Sequence, residues 1–138
     1  MKGAIFSYYT RHPEHTVRFG QALGSALRSG DVIGLKGELG CGKTWFTKGV
    51  ALGLGVPASE IINSPSFTLL NTYEGRSMLY HMDVYRLQSL SEFVDAGLEE
   101  YLYEEGVVVL EWADRWPEIL PEWALLVKIA ILSDSLRY

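Results

Sequence analysis

The sequence is poor in the residues behind several common chemistries. It has one cysteine, Cys41, in 138 residues, which excludes an internal disulfide and a cysteine cluster for zinc. Basic residues are scarce: 12 Lys and Arg against 17 Asp and Glu give a formal net charge of −5. Binding bare nucleic acid through the overall field needs clustered positive charge, so any RNA contact is expected through a partner or a local patch. No run of about eighteen apolar residues is present to span a bilayer, and the opening MKGAIFSYYT lacks the long apolar stretch of a secretion signal. These absences predict a cytosolic protein without a membrane segment. Repeats, low-complexity tracts and linker-like segments are also missing, so a single domain over residues 1–138 is expected, with 48% hydrophobic residues to fill its core.

What is present has a clear order. Pro13 reads as a first-turn proline, and Val17, Phe19, Leu23, Ala26 and Leu27 recur at helical spacing through Arg28. Ser29-Gly30-Asp31 stops that helix, and Val32, Ile33 and Leu35 form a short apolar strand closed by Gly37. A second helix is predicted from Lys43 to about Leu54, with Gly53-Leu54-Gly55 and Pro57 as its stop. Phe67–Tyr73 and Met78–Tyr85 alternate around Glu74-Gly75-Arg76-Ser77, the pattern of an antiparallel hairpin. Ser89 and Glu92 have capping-box spacing ahead of a helix predicted from about Ser91 to Tyr103. Val107–Leu110 reads as a central parallel strand, and a last strand is expected from about Ala124 to Leu132.

Between the first strand and the second helix, Gly37-Glu38-Leu39-Gly40-Cys41-Gly42-Lys43-Thr44 satisfies G-x-x-x-x-G-K-[ST]. Gly37, Gly40 and Gly42 lack Cβ atoms and can take positive φ, which lets successive N–H groups of Glu38, Leu39 and Cys41 turn inward around phosphate oxygens. The helix starting near Lys43 adds unsatisfied N–H groups and the positive end of its dipole. Lys43 reaches β and γ phosphates as a point charge, and Thr44 offers a hydroxyl to magnesium. ATP or ADP with Mg2+ is therefore the expected ligand, and the predicted fold is a three-layer, P-loop NTPase-like α/β domain. Its sheet is expected to be mixed, mostly parallel, with one antiparallel hairpin.

A nucleotide-bound magnesium in such a domain needs a carboxylate at the end of a neighbouring strand, and Glu111 directly follows Val107–Leu110. Ligands collect outside the carboxyl ends of parallel strands, where Gly37 and Glu111 both emerge. His81, Asp83 and Tyr85 alternate with Met82 and Val84, so a strand would put the three polar side chains on one face. Asp83 fits a magnesium site or a group orienting the attacking water, and pairing with Arg86 or His81 is the alternative. Ser64-Pro65-Ser66-Phe67-Thr68 is either a phosphate-sensing segment or an ordinary turn. From the residues alone, Trp112 is a core or rim aromatic, and Arg86 and Arg115 suit either a phosphate or a surface carboxylate.

GELGCGKT, SPSF, HMDVYRL and VVVLEWADR, in this order and at these separations, resemble the bacterial TsaE (YjeE) family over most of the chain. The combination is specific, since many families share the P-loop but not H-x-D-x-Y-R followed by L-E-W. The resemblance implies a weak P-loop ATPase that acts with TsaD and TsaB in making threonylcarbamoyladenosine on tRNAs reading codons that begin with A, without transferring the group itself. Position by position it implies phosphate and magnesium roles for Lys43 and Thr44, metal-site roles for Glu111 and Asp83, and a nucleotide contact for Trp112. Thr16 falls where the family often has a threonine near the base. Two departures are visible: Ser66 stands where the family commonly has threonine, keeping the hydroxyl, and Cys41 replaces a commoner alanine.

Two other readings stay open at this level. A small-molecule kinase also begins with strand, P-loop and helix, although the 7 arginines form no lid-like cluster. A regulatory module, in which nucleotide occupancy sets a docking shape, is compatible with the same residues. No N-K-x-D stretch is present to read guanine.

Overall fold

The computed structural model describes residues 9–37, 42–63, 65, 68–113 and 115–130. Its elements run α1 (Pro13–Ala26), β1 (Val32–Gly37), α2 (Lys43–Gly53), β2 (Leu70–Glu74), β3 (Met78–Asp83), α3 (Leu90–Asp95), β4 (Val107–Glu111) and β5 (Leu125–Ile129). Short 3-10 turns occupy Glu99–Leu102 and Pro117–Ile119. The sheet order is β2-β3-β4-β1-β5. β3, β4, β1 and β5 are parallel, and β2 pairs antiparallel with β3, so the predicted mixed sheet with one hairpin is the one found.

Strand alternation divides the core in two. Ile33 and Leu35 of β1 with Val107 and Val109 of β4 face Phe46, Val50 and Leu54 of α2. Val32, Val108 and Leu110 point the other way, toward Phe93, Leu98 and Leu102. Each of these side chains is almost wholly removed from water, which stabilises the fold by about 1.5–3 kcal/mol per large side chain before entropy is counted. Two helices thus cover one face, and α3 with the 3-10 turns covers the other. No described helix is long and apolar enough to cross a membrane.

α1 and α2 approach each other backbone to backbone. A Cβ on Gly49 would lie 2.1 Å from the Val17 carbonyl oxygen, and one on Gly24 would lie 2.4 Å from that of Val50. The hairpin turn then secures both helix ends. The Arg76 guanidinium donates to the carbonyls of Gly53 (2.6 Å), Leu27 (2.8 Å) and Gly24 (2.9 Å) at the C-terminal ends of the two helices.

Several predicted boundaries shift, each for a local reason. α1 stops at Ala26 rather than Arg28, because Leu27 is already extended at φ −72, ψ 148. The single helix expected over Ser91–Tyr103 is broken: α3 ends at Asp95, Gly97 turns to φ +75, and the chain resumes as the 3-10 turn. The capping box is not made, since Ser89 Oγ bonds Ser91 Oγ at 2.9 Å and Glu92 accepts from the Gln88 N–H at 3.4 Å. β2 begins at Leu70 after Leu69 takes φ +68, and Phe67 lies outside the described residues. β3 ends at Asp83, where the carboxylate accepts the Tyr85 N–H at 2.9 Å and starts a turn. β5 covers Leu125–Ile129 only, and residues 131 and 132 lie outside the described residues.

Candidate nucleotide-binding site

Three parallel strands end side by side. Asp83 of β3 is in register with Glu111 of β4, which is in register with Leu35 of β1, two residues before Gly37. Glu38, Leu39, Gly40 and Cys41 lie outside the described residues. Gly42 then caps α2 at φ 105, ψ 18. No described residue comes within 4 Å of where its Cβ would be, so the left-handed backbone is what demands glycine there. The first turn of α2 holds no acidic residue, and no side chain among the described residues caps it, which suits its N–H groups and dipole to an anion.

Lys43 opens that helix with its side chain buried. Its Nζ donates to the Gly37 carbonyl at 2.5 Å and sits 3.4 Å from the centroid of the Trp112 ring. Thr44, one residue on, is exposed. Trp112 holds its place with φ +63, an expensive conformation for a bulky residue. The other side of this shelf is Tyr85, 4.6 Å from Trp112 between ring centroids, with the Arg115 guanidinium 5.5 Å over Tyr85.

Glu111 is buried, and its Oε2 lies 2.5 Å from His81 Nε2. Nε2 donates and the carboxylate accepts, which fixes the His81 tautomer and the carboxylate plane together. His81 Nδ1 is buried without a hydrogen-bond partner among the described residues. Asp83 is also buried, with Oδ1 held by the Tyr85 N–H.

The structure thus brings together Lys43, Glu111, Asp83 and Trp112, with Thr44 on the first turn of the same helix. Thr16 stands apart in its bonding: its hydroxyl pairs with that of Thr10 at 2.9 Å in the first turn of α1. The Thr68 hydroxyl turns to the Leu70 carbonyl at 3.3 Å, and Ser64 and Ser66 lie outside the described residues. Tyr85 leaves the strand face predicted for it and becomes an aromatic support. The His81–Glu111 pair is the feature that sequence reasoning missed, because its signal is cross-strand register.

No trio of His, Cys, Asp and Glu side chains suited to a metal cage occurs among the described residues. Magnesium held by a nucleotide does not require one, since it takes one or two carboxylates and fills its shell with phosphate oxygens and water. An exposed hydroxyl at the helix start and one or two strand-end carboxylates fit that donor set.

A family model described as threonylcarbamoyl adenosine biosynthesis protein TsaE matches residues 10–137. The chain belongs to the TsaE family. It is 48% identical over 128 residues to the tRNA threonylcarbamoyladenosine biosynthesis protein TsaE of Treponema pallidum (strain Nichols), covering 93% of each chain. It is 44% identical to the TsaE of Bacillus subtilis (strain 168), over 93% of this chain and 79% of that one. The crystal structure of YdiB from Bacillus subtilis superposes with a TM-score of 0.79 at 39% identity, over 94% of this chain and 79% of the other. The family model's span includes the strand ends and the helix start described above.

Proposed function

We propose that this TsaE-family chain binds ATP with Mg2+, hydrolyses it weakly by itself, and acts in the cytosol on TsaD and TsaB during threonylcarbamoyladenosine formation on tRNA. The observation that carries the reading is Lys43 at the start of α2 with its Nζ on the Gly37 carbonyl, at the end of a strand whose Leu35 is in register with Glu111 on the adjacent parallel strand. Lys43 and the first-turn N–H groups would hold the phosphates, while Thr44 and Glu111 would hold magnesium, with Asp83 beside them. The metal supplies charge neutralisation at the phosphates. Asp83, anchored by the Tyr85 N–H, would orient a water at the strand ends. Trp112 and Tyr85 form an aromatic wall beside the Lys43 ammonium. Thr16 is assigned near the base by family position alone.

Nucleotide affinity, measured with and without Mg2+ in the wild-type and in Lys43→Ala and Thr44→Ala proteins, tests this reading. Wild-type affinity should fall by at least about tenfold in Lys43→Ala, equivalent to loss of one charged phosphate contact. Thr44→Ala should lose mainly the gain that Mg2+ provides. Unchanged binding in Lys43→Ala contradicts the assignment.

One observation favours a second reading, a nucleotide-gated docking module. Lys43 and Glu111 are each engaged within the chain, by Gly37 with Trp112 and by His81, and loading the site would exchange the Lys43 contacts next to exposed Tyr85 and Arg115. Turnover stimulated by TsaD and TsaB supports the ATPase, whereas ATP-dependent docking without added turnover supports the module. A Lys43→Ala chain that still sustains tRNA modification counts against both.

A further inference from the structure

β1 and β5 run side by side with Gly34 opposite Leu126 and Lys36 opposite Lys128. These positions share the sheet face of Val32, opposite to α1 and α2. On that face lies a groove of about 530 Å3, with Gly34, Leu120 and Leu126 in its floor and the two lysines toward the carboxyl edge of the sheet. Gly34 lets the two leucines pack directly onto the strand: a Cβ there would lie 2.7 Å from Leu120 Cδ1 and 3.1 Å from Leu126 Cδ2. Leu126 remains 72% exposed.

Two like charges directly opposite on neighbouring strands repel. Lys36 and Lys128 are both exposed, and neither forms an ion pair or hydrogen bond with a described residue, although Glu122 also lines the groove. An edge-guarding role accounts for Lys128 on β5. It does not account for Lys36, which belongs to the strand between β4 and β5. In a chain of net charge −5, a basic pair that forms no ion pair with a described residue, beside an apolar floor, is complementary to an acidic, partly apolar ligand.

We infer that this groove is a docking surface for a protein segment that seats an apolar side chain on Leu120 and Leu126 and a carboxylate between Lys36 and Lys128. The segment belongs to the TsaD–TsaB assembly, so the inference rests on the partner reading above. The cavity is of a size that takes a few side chains. RNA phosphate is the competing anion, but two lysines do not make a basic track, and no aromatic among the described lining residues provides a stacking surface.

The test is binding of the full chain, with Mg2+ and ATP, to immobilised TsaD–TsaB complex. Wild type is compared with the Lys36→Glu/Lys128→Glu double variant, Leu126→Asp, and Arg18→Glu as a charge reversal on exposed α1. Thermal unfolding and nucleotide affinity verify that each variant is folded. Partner affinity should fall at least about tenfold in the double variant and in Leu126→Asp, with a shallower salt dependence in the former, and stay at wild-type level in Arg18→Glu. Wild-type affinity in the groove variants overturns the inference and leaves the partner reading intact. Failure of the wild type to bind overturns both. Retention of tRNA through these lysines, with partner binding unaffected, also overturns it, in favour of an RNA site.

Discussion

His81 Nε2 and Glu111 Oε2 lie 2.5 Å apart, both side chains buried on adjacent parallel strands. The contact immobilises one oxygen of the strand-end carboxylate, and under the proposed function the carboxylate would serve a metal-bound group. His81→Phe would strand a buried carboxylate, costing about 1–3 kcal/mol. Urea unfolding should register that loss, and Mg2+ should improve nucleotide affinity less than in the wild type. His81→Gln, which keeps a donor at similar reach, should recover part of both. Equal Mg2+ dependence in the wild type and folded His81→Phe would show that Glu111 needs no such support.

Trp112 faces the Lys43 ammonium at 3.4 Å, so a phosphate drawing that ammonium away changes the indole's surroundings. ATP binding should shift tryptophan emission in the wild type, and the shift should largely vanish in Trp112→Phe. An emission change that persists in Trp112→Phe would place the responding indole elsewhere.

Gly49 packs against the Val17 carbonyl with no room for a methyl group. Gly49→Ala should destabilise the chain by about 2 kcal/mol or more through forced separation of α1 and α2. Chemical denaturation measures this directly, and a midpoint equal to wild type would contradict the backbone contact.

Arg76 joins the hairpin to both helix ends through three short bonds to Gly53, Leu27 and Gly24. Arg76→Ala should cost about 2 kcal/mol, and Arg76→Lys should recover little, because one ammonium cannot reproduce the guanidinium fork. Nucleotide affinity of the folded Arg76→Ala protein should stay near wild type, since these bonds lie at the opposite end of α2 from Lys43.

The parts of this molecule that depend on local pattern are legible in the sequence. Val32–Gly37, Lys43 onward and Val107–Glu111 carry strand and helix periodicity, and the glycine spacing before Lys43 marks the loop proposed to hold an anion. The places of Lys43 at a helix start and of Glu111 at a strand end follow from those patterns. What depends on register is not legible. His81 meeting Glu111, Arg76 reaching two helices, and Lys36 standing opposite Lys128 each require knowing which strands are neighbours. Single backbone turns decide the remaining differences: Gly97 breaks the expected long helix, and the Asp83 turn removes Tyr85 from the strand.

The most direct test of the ATPase assignment is Mg2+-dependent ATP hydrolysis by the chain alone and mixed with TsaD and TsaB, alongside Glu111→Ala. The account predicts slow turnover alone, a marked rise with the partners, and loss of that rise in Glu111→Ala. Absence of both nucleotide binding and turnover in the wild type, or stimulation undiminished in Glu111→Ala, would contradict it.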